Sequence, residues 1–182
     1  MPGANLGIDL VPLQSSGPTF AILCRFPAGF ERPGPGGYQV SEDFLVLDGL
    51  LQLEGITIER GTVCSVPAGY VRTMMRTSGG CTVLAWFGGP PDYRSADELS
   101  GQPGQGLRAV RVLHDVTARP LLRAAQATWR IVDAAMLTPL ERPVDIVDLE
   151  LRTWYLVGPG GPPPVIAGPL LVRATEVAVA KS

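Results

Sequence analysis

The sequence predicts an all-β protein, and three features lead to this prediction. The chain has 182 residues, of which 22 are glycine and 18 are proline, nearly twice the share of about 12% in average proteins. Short apolar runs alternate with turn sequences over most of the chain, as in sandwiches and barrels of short strands. Several residues also recur in the same order at an offset of 108 to 110 positions, which indicates two related units.

The first half of the chain is predicted to contain short strands separated by turns. Residues 30–41 contain Gly34-Pro35-Gly36-Gly37 and are predicted to form a loop. The dipeptide Asp48-Gly49 is typical of a two-residue hairpin, and the alternation that follows it fits a returning strand. The predicted strands are residues 19–26, 42–49, 50–55, 62–69, 70–76 and 81–88.

The second half begins after a polar segment. Residues 89–106 are rich in Gly, Pro and Ser and are predicted to form a linker or a long surface loop. Residues 121–136 are rich in alanine and would favour a helix in isolation. The predicted strands of this half are residues 108–113, 144–157 and 170–180.

The internal repeat decides between helix and strand for residues 121–136. The matched positions are Pro12 and Pro120, Leu13 and Leu121, Thr19 and Thr128, Phe20 and Trp129, Ile22 and Ile131, Glu31-Arg32-Pro33 and Glu141-Arg142-Pro143, and Gly49 and Gly158. Because the first copy of this segment is a predicted strand, residues 119–136 are expected to be strand and loop, with context overriding propensity. The sequence thus predicts units at 1–88 and 107–182, joined by 89–106.

Charge and composition narrow the classes of partner. Fifteen basic residues face 17 acidic ones, for a net charge of −2, whereas a nucleic-acid partner would require a basic face. No apolar run reaches the roughly 18 residues of a membrane span, and the first residues lack the pattern of a signal peptide. All basic residues but Lys181 are arginine, as in GC-rich bacterial genomes. We therefore expect a cytoplasmic bacterial protein, a homodimer that binds a small-molecule ligand.

Residues that commonly bind metals are scarce. His114 is the only histidine, and it is expected to be an ordinary side chain at a strand end rather than a ligand or a base. The three cysteines, Cys24, Cys64 and Cys81, are widely spaced and are expected to be buried apolar residues. A zinc site with three thiolates is the alternative.

Two series of glycine and proline positions carry a resemblance to a known superfamily. The first series is Gly29, Pro35, Gly37, Glu42 and Gly49, and the second is Gly61, Pro67, Gly69, Arg72 and Arg76. In these turn residues, which fix strand register in a barrel, the segment 19–88 resembles the cupin superfamily. The superfamily places Gly, His, His, Glu and Gly in its first motif and Gly, Pro, Gly, His and Asn in its second. The resemblance implies a cupin-like jelly-roll barrel, and the repeat implies a second, degenerate cupin copy.

The same resemblance implies a divalent metal held by three His and one Glu, but the sequence departs from that set. The histidine slots hold Pro35, Gly37 and Arg72, or Gly36 and Tyr38 in the first motif if the alignment moves by one residue. Glu42 alone remains. A single carboxylate beside an arginine is not a transition-metal site, so we predict neither a metal nor another cofactor.

Strand alternation predicts which side chains surround this altered site. Phe44 and Val46 share the face of Glu42, and Tyr70, Met74 and Arg76 share the face of Arg72. Glu42 and Arg72 are the predicted catalytic residues. The predicted ligand-binding residues are Tyr38, Phe44, Val46, Tyr70, Met74, Arg76 and Trp86.

Two arginines that face one carboxylate would leave a guanidinium for a ligand, and arginine suits a carboxylate, phosphate or enolate oxygen. The leading interpretation is a metal-independent isomerase, cyclase or lyase. In it, Glu42 is the acid or base, and Arg72 and Arg76 hold an anionic or enolisable group. One alternative is a non-catalytic ligand-binding or sensory cupin. The other is a structural subunit whose barrel is plugged by a Glu42–Arg72 ion pair.

The acidic residues of the second half form a weaker candidate. Asp145, Asp148 and Glu150 lie on one predicted strand and are expected to be solvated. In the alternative interpretation, Asp148 and Glu150 line a second cavity together with Trp154.

Overall fold

A computed structural model of the chain describes residues 7–13, 19–32, 34–99, 106–112, 120–124, 127–137, 141–150, 152–162, 164–165 and 168–175. The described residues form antiparallel β-strands, turns and two 3-10 helices, Ala96–Glu98 and Ala134–Met136, without an α-helix. This confirms the all-β class predicted from the sequence. Within the same residues, no helix is long and apolar enough to cross a membrane. The chain divides into two units, Met1–Arg111 and Val112–Ser182.

The first unit is a barrel built around one long central strand. In chain order its strands are β1 (Asp9–Leu13), β2 (Phe20–Phe26), β3 (Phe30–Glu31), β4 (Gly36–Tyr38), β5 (Glu42–Leu53), β6 (Ile56–Glu59), β7 (Thr62–Val66), β8 (Met75–Thr77), β9 (Cys81–Phe87), β10 (Tyr93–Ser95) and β11 (Arg108–Arg111). The main sheet has the order β1-β2-β9-β5-β7-β11. The second half of β5 also pairs with β6 and β8, and β8 pairs with β3. Strands β4 and β10 form a separate two-stranded ribbon.

A β-bulge in β5 determines which side chains enter the barrel. The register between β5 and β9 shifts between Val46 and Asp48, and a bulge adds a residue that changes the alternation of a strand. Before the bulge Phe44 and Val46 are in the core, and after it Leu51 and Leu53 are. Both halves of β5 therefore present apolar side chains to the same interior.

The hairpin predicted at Asp48-Gly49 is wrong, because β5 continues through these residues to Leu53. Gly49 has a φ of +74°, and a Cβ there would lie 2.2 Å from the carbonyl oxygen of Gly80. The glycine therefore permits a bend and a close approach to the neighbouring chain segment, as glycines inside strands often do. The chain turns instead at Glu54-Gly55, between β5 and β6.

The predicted linker and domain boundary are also corrected. Within residues 89–106, strand β10 pairs with β4, and a 3-10 helix follows it, while residues 100–105 lie outside the described part. Strand β11 pairs with β7 of the first unit, so that unit extends to Arg111 rather than ending at residue 88. His114 lies outside the described residues.

The second unit is a five-stranded antiparallel sheet with the order β12-β13-β16-β14-β15. Its strands are β12 (Leu122–Arg123), β13 (Ala127–Asp133), β14 (Val144–Asp148), β15 (Thr153–Val157) and β16 (Pro169–Thr175). The prediction that residues 119–136 are strand and loop is confirmed for the described part of that segment, despite its alanine content. The predicted single strand 144–157 is instead a hairpin of β14 and β15. Arg152, at a φ of +54°, lies in its turn.

Candidate functional site

The barrel of the first unit contains a partly open cavity of about 50 Å³. One water requires about 10–15 Å³ of such space, so the cavity has room for about three to five water-sized groups. Its wall is mostly apolar and includes Leu10, Phe26, Leu51, Leu53, Val83 and Phe87. Three charged side chains interrupt this wall, namely Arg32, Glu42 and Arg72.

Glu42 and Arg72 form a buried ion pair on the cavity wall. One terminal nitrogen of Arg72 donates a hydrogen bond to Oε2 of Glu42. Arg72 is 3% exposed and Glu42 is 9% exposed. Burial alone would lower the pKa of Arg72, but the Glu42 carboxylate outweighs that effect and holds the pKa above its ordinary value. The pair is therefore a fixed, oriented feature of the site rather than a surface contact.

Backbone hydrogen bonds hold Arg72 against the β4–β10 ribbon. The Arg72 amide donates to the Gly36 carbonyl at 2.8 Å, and the Gly36 amide donates to the Arg72 carbonyl at 3.0 Å. The Arg72 guanidinium lies 5.0 Å from the centre of the Tyr38 ring, within the range of a cation–π contact. Main chain and ring together orient the guanidinium towards Glu42.

Arg32 is the second cation of the cavity, and it has no carboxylate partner among the described residues. Its amide donates to the Met75 carbonyl at 2.9 Å, which fixes the backbone next to β8. Its guanidinium lies 4.6 Å from the centre of the Tyr93 ring. Its Nε is buried and has no hydrogen-bond partner in the described part of the chain.

Aromatic rings from the ribbon close one side of the cavity. Tyr38 and Tyr93 are opposite each other in the β4–β10 register, and their rings meet edge to face at 5.5 Å. Tyr38 also packs edge to face on Phe87 at 4.9 Å. Burial, and next the Glu42 carboxylate, raise the pKa of Tyr38, so its phenol stays neutral.

The residues at the superfamily's ligand slots do not fit a divalent metal. A Cβ on Gly36 would lie 2.4 Å from the Tyr93 hydroxyl, and one on Gly37 would lie 2.0 Å from the Tyr70 carbonyl oxygen. Cβ contacts below 3.0 Å essentially never occur, so a histidine at either position would displace its surroundings. The third slot holds Arg72, a cation already paired with Glu42. Across the described residues, no three His, Cys, Asp or Glu side chains are grouped as metal ligands.

The cysteines are three separate buried thiols, as one of the two sequence interpretations expected. Burial raises the pKa of Cys24 to about 12 and that of Cys81 to about 12, and it raises the pKa of Cys64 as well. Thiolates are the form that binds zinc, and these thiols stay protonated at neutral pH.

The structure brings four of the predicted site residues to the cavity wall, namely Tyr38, Glu42, Phe44 and Arg72. Val46 and Tyr70 are buried in the barrel core, outside the cavity lining. Trp86 is buried too, but the core side chains of β9 alternate at Val83, Ala85 and Phe87, which puts Trp86 on the opposite face. The structure therefore places Val46, Tyr70 and Trp86 in the packing of the barrel, whereas the sequence predicted that they contact a ligand.

The placement of Met74 and Arg76 is also corrected. Residues 70–76 are not a continuous strand, because Arg72 makes only an isolated bridge and β8 begins at Met75. The alternation is lost across this interruption, so Met75 lines the cavity and Met74 does not. Arg76 is exposed, and its Nε donates to Gln52 at 2.6 Å.

Sequence reasoning missed Arg32 and Tyr93. Arg32 lay in a predicted loop and Tyr93 in the predicted linker, so neither was considered a barrel residue. One signal was available, because Arg32 belongs to the Glu-Arg-Pro triplet that recurs in the second half. Nothing local indicated that Tyr93 would pair with β4.

The second unit contains a different buried charge cluster. Asp145 accepts hydrogen bonds from Trp154 Nε1 at 3.0 Å and from Arg173 at 3.2 Å. Asp145 and Arg173 are 3% and 2% exposed, and Asp148 is 5% exposed, which corrects the expectation of solvated acids. Glu150 is exposed, as expected. Because Asp145 already has a cation and an indole as partners, this cluster has the character of a structural ion pair.

The structure is similar to solved cupin-fold proteins. One is a candidate dioxygenase from Nostoc punctiforme, 14% identical, which matches 98% of this chain and 77% of its own with a TM-score of 0.62. A Ralstonia eutropha protein of unknown function with a cupin-like fold is 17% identical, with 50% and 60% coverage and a TM-score of 0.42. A chain in the crystal structure of Rhodobacter sphaeroides SigE in complex with the anti-sigma ChrR is 25% identical, with a TM-score of 0.41.

This chain has the fold of the cupin superfamily. The SigE–ChrR match covers 45% of this chain and 44% of the other, so that the two share less than half of their lengths. No family model and no curated protein matches the sequence. The first-half resemblance found in the turn residues is confirmed at the level of the fold.

Proposed function

We propose that the barrel of the first unit binds a small organic molecule that carries an anionic or carbonyl oxygen, without a metal ion. The observation that carries this proposal is the Arg32 guanidinium, which lines a mostly apolar cavity without a carboxylate partner among the described residues. Arg32 here takes the role that the sequence assigned to Arg76. The Glu42–Arg72 pair leaves the cavity with one net positive charge.

A half-buried cation beside an apolar wall favours a ligand with acceptor oxygens. Arginine does not lose its proton in proteins. Its planar guanidinium matches carboxylate and enolate oxygens. An acceptor-bearing ligand would therefore satisfy the Arg32 donors and fill the apolar space beside them.

Calorimetry and thermal unfolding of the full chain with a panel of carboxylates and β-dicarbonyl compounds test this proposal. A ligand at 100 times its Kd should stabilise the chain by about 2.7 kcal/mol. The variant Arg32→Met should lose this effect. Arg25→Met is the matched control, because Arg25 is exposed on β2 and should leave binding intact. Absence of binding by every compound would favour a barrel that is closed by the Glu42–Arg72 pair.

A metal-independent isomerase, cyclase or lyase is the second candidate, because the Glu42 carboxylate lines the same cavity. Arg72 binds Oε2 of Glu42, so Oε1 is the oxygen that could accept a proton from a carbon acid. The enolate left behind would face the guanidinium of Arg32, which stabilises developing negative charge. Such a site should exchange the methyl protons of pyruvate with deuterium from the solvent, as followed by NMR. Glu42→Asp should slow the exchange more than it weakens binding.

Three further expectations belong to this proposal. The second unit would be a degenerate copy of the first, the chain would form a homodimer, and it would function in the bacterial cytoplasm. Light scattering coupled to size-exclusion chromatography tests the dimer. A homodimer would have twice the mass of one chain, which is 19.3 kDa.

A further inference from the structure

Three buried polar atoms on the cavity wall lack a hydrogen-bond partner among the described residues. They are Nε of Arg32, Nε of Arg72 and the hydroxyl of Tyr93. All three atoms can donate a hydrogen bond, and a guanidinium cannot accept one. Buried donors are nearly always satisfied in native proteins. Arg32, Arg72 and Tyr93 all line the cavity, so its wall favours an occupant with acceptor oxygens.

The charges of the lining fix the charge of that occupant. Arg32 and Arg72 contribute two positive charges and Glu42 one negative charge, and the other lining residues carry none. A single negative charge would neutralise the cavity. A second carboxylate on the same molecule would face an apolar wall and the Glu42 carboxylate, and an unpaired buried charge is strongly unfavourable.

The volume of the cavity fixes the length of the occupant. Space for about three to five water-sized groups accommodates a carboxylate and one or two further carbons. The hydrocarbon end would contact side chains such as Leu51 and Phe87. Longer chains would either move a wall residue, which packed interiors resist, or leave apolar carbons in the opening of the cavity.

We propose that the ligand is a short-chain monocarboxylate of about four or five non-hydrogen atoms, with its carboxylate towards Arg32 and Tyr93. This inference rests on the proposed function and narrows it to one class of compound. The carboxylate supplies about four lone-pair positions, which suits a wall that carries two guanidinium groups. The hydrocarbon part occupies the apolar remainder of the barrel.

Isothermal titration calorimetry of the full chain against a graded series tests the proposal. The series is acetate, propionate, butyrate, hexanoate, malonate, succinate and acetamide. We expect acetate and propionate to bind. We expect hexanoate, the two dicarboxylates and neutral acetamide to bind at least tenfold more weakly. Equal binding by hexanoate or succinate would overturn the inference.

Three variants connect this selectivity to the named residues. Arg32→Met should weaken propionate binding at least tenfold, whereas the exposed control Arg25→Met should not. Tyr93→Phe removes one donor at nearly constant shape and should weaken binding severalfold, which keeps the test informative if Arg32→Met does not fold. Leu51→Ala enlarges the cavity and should improve hexanoate binding relative to propionate. If Leu51→Ala leaves that ratio unchanged, the assigned length limit is wrong.

The outcomes separate this inference from the broader proposal. Binding of β-dicarbonyl compounds or long carboxylates without binding of acetate and propionate would overturn the monocarboxylate assignment and leave the ligand-binding function in place. If no carboxylate or carbonyl compound bound, the ligand-binding function itself would fail, and the inference with it.

Discussion

Replacing Glu42 by glutamine should destabilise the first unit more than replacing Arg72 by methionine. Glu42→Gln leaves the Arg72 guanidinium, 3% exposed, without a counter-charge, and arginine cannot lose its proton. Breaking a buried pair in this way costs about 3–5 kcal/mol. Because glutamine still offers one acceptor oxygen, we expect a loss of about 3 kcal/mol, at the lower end of that range.

Arg72→Met leaves a carboxyl that has another way to relax. The remaining Glu42 is 9% exposed and lines the cavity, so its carboxylate is partly accessible to solvent. The loss of stability should therefore be smaller than for Glu42→Gln. Replacing both residues, by leucine at 42 and methionine at 72, should return the stability to within about 1 kcal/mol of the wild type, because apolar replacement of buried pairs is often neutral.

Thiol labelling measures the stability of the first unit, which contains the Glu42–Arg72 pair. All three cysteines of the chain lie in the first unit and are buried, so their reaction with a thiol reagent in increasing urea reports the unfolding of that unit alone. The midpoint and slope give the free energy of unfolding. If Glu42→Gln lies within 0.5 kcal/mol of the wild type, or the double variant is as unstable as the single one, the pair is not the buried ion pair inferred here.

Three other outcomes are expected. Cys24 and Cys81 ionise near pH 9.0 in the unfolded chain and only near 12 in the folded one. Each thiol therefore contributes stability that is complete below pH 9 and is lost as the pH rises towards 12, at about 1.4 kcal/mol per pH unit, which urea titrations at pH 8 and 10 would show. Arg76→Met should change ligand affinity less than twofold in calorimetry, because Arg76 lies outside the barrel; a tenfold loss would contradict this placement. Elemental analysis of protein purified without an affinity tag should find well under one iron, manganese, nickel or zinc per chain, and one metal per chain would contradict the assignment of the altered ligand slots.

Much of the fold could be predicted from the sequence, because turn residues determine where strands end. Gly29, Gly61 and Gly69 all have positive φ values, which glycine adopts without strain. Their spacing alone predicts that Glu42 begins a strand and that Arg72 lies at the same site. The pattern of turn residues was thus enough to predict the positions of Glu42 and Arg72, although the sequence is only 14% identical to the solved cupin-fold structure.

Several errors of prediction come from a local break in strand alternation. The bulge in β5 and the interruption between Arg72 and Met75 each change which side chains face inwards. Neither break has a reliable local signature, since Asp48-Gly49 is as typical of a hairpin as of a bulge. Tyr93 was missed because it reaches the cavity through the long-range pairing of β4 with β10. That pairing depends on tertiary packing rather than on local propensity.

The β4–β10 ribbon affects both the superfamily's metal-ligand positions and the position of Arg32 in the cavity. Gly36 and Gly37 allow β10 and the Tyr70 backbone to approach β4 at distances that a side chain would prevent. That approach brings Tyr93 against the cavity and beneath Arg32. A histidine at Gly36 would displace Tyr93, and with it the ring that lies against the Arg32 guanidinium. A substitution that introduced a histidine ligand at Gly36 would therefore disturb the site around Arg32. Under the proposed function, the fixed cation Arg32 holds an anion, and Glu42 is the residue that transfers a proton.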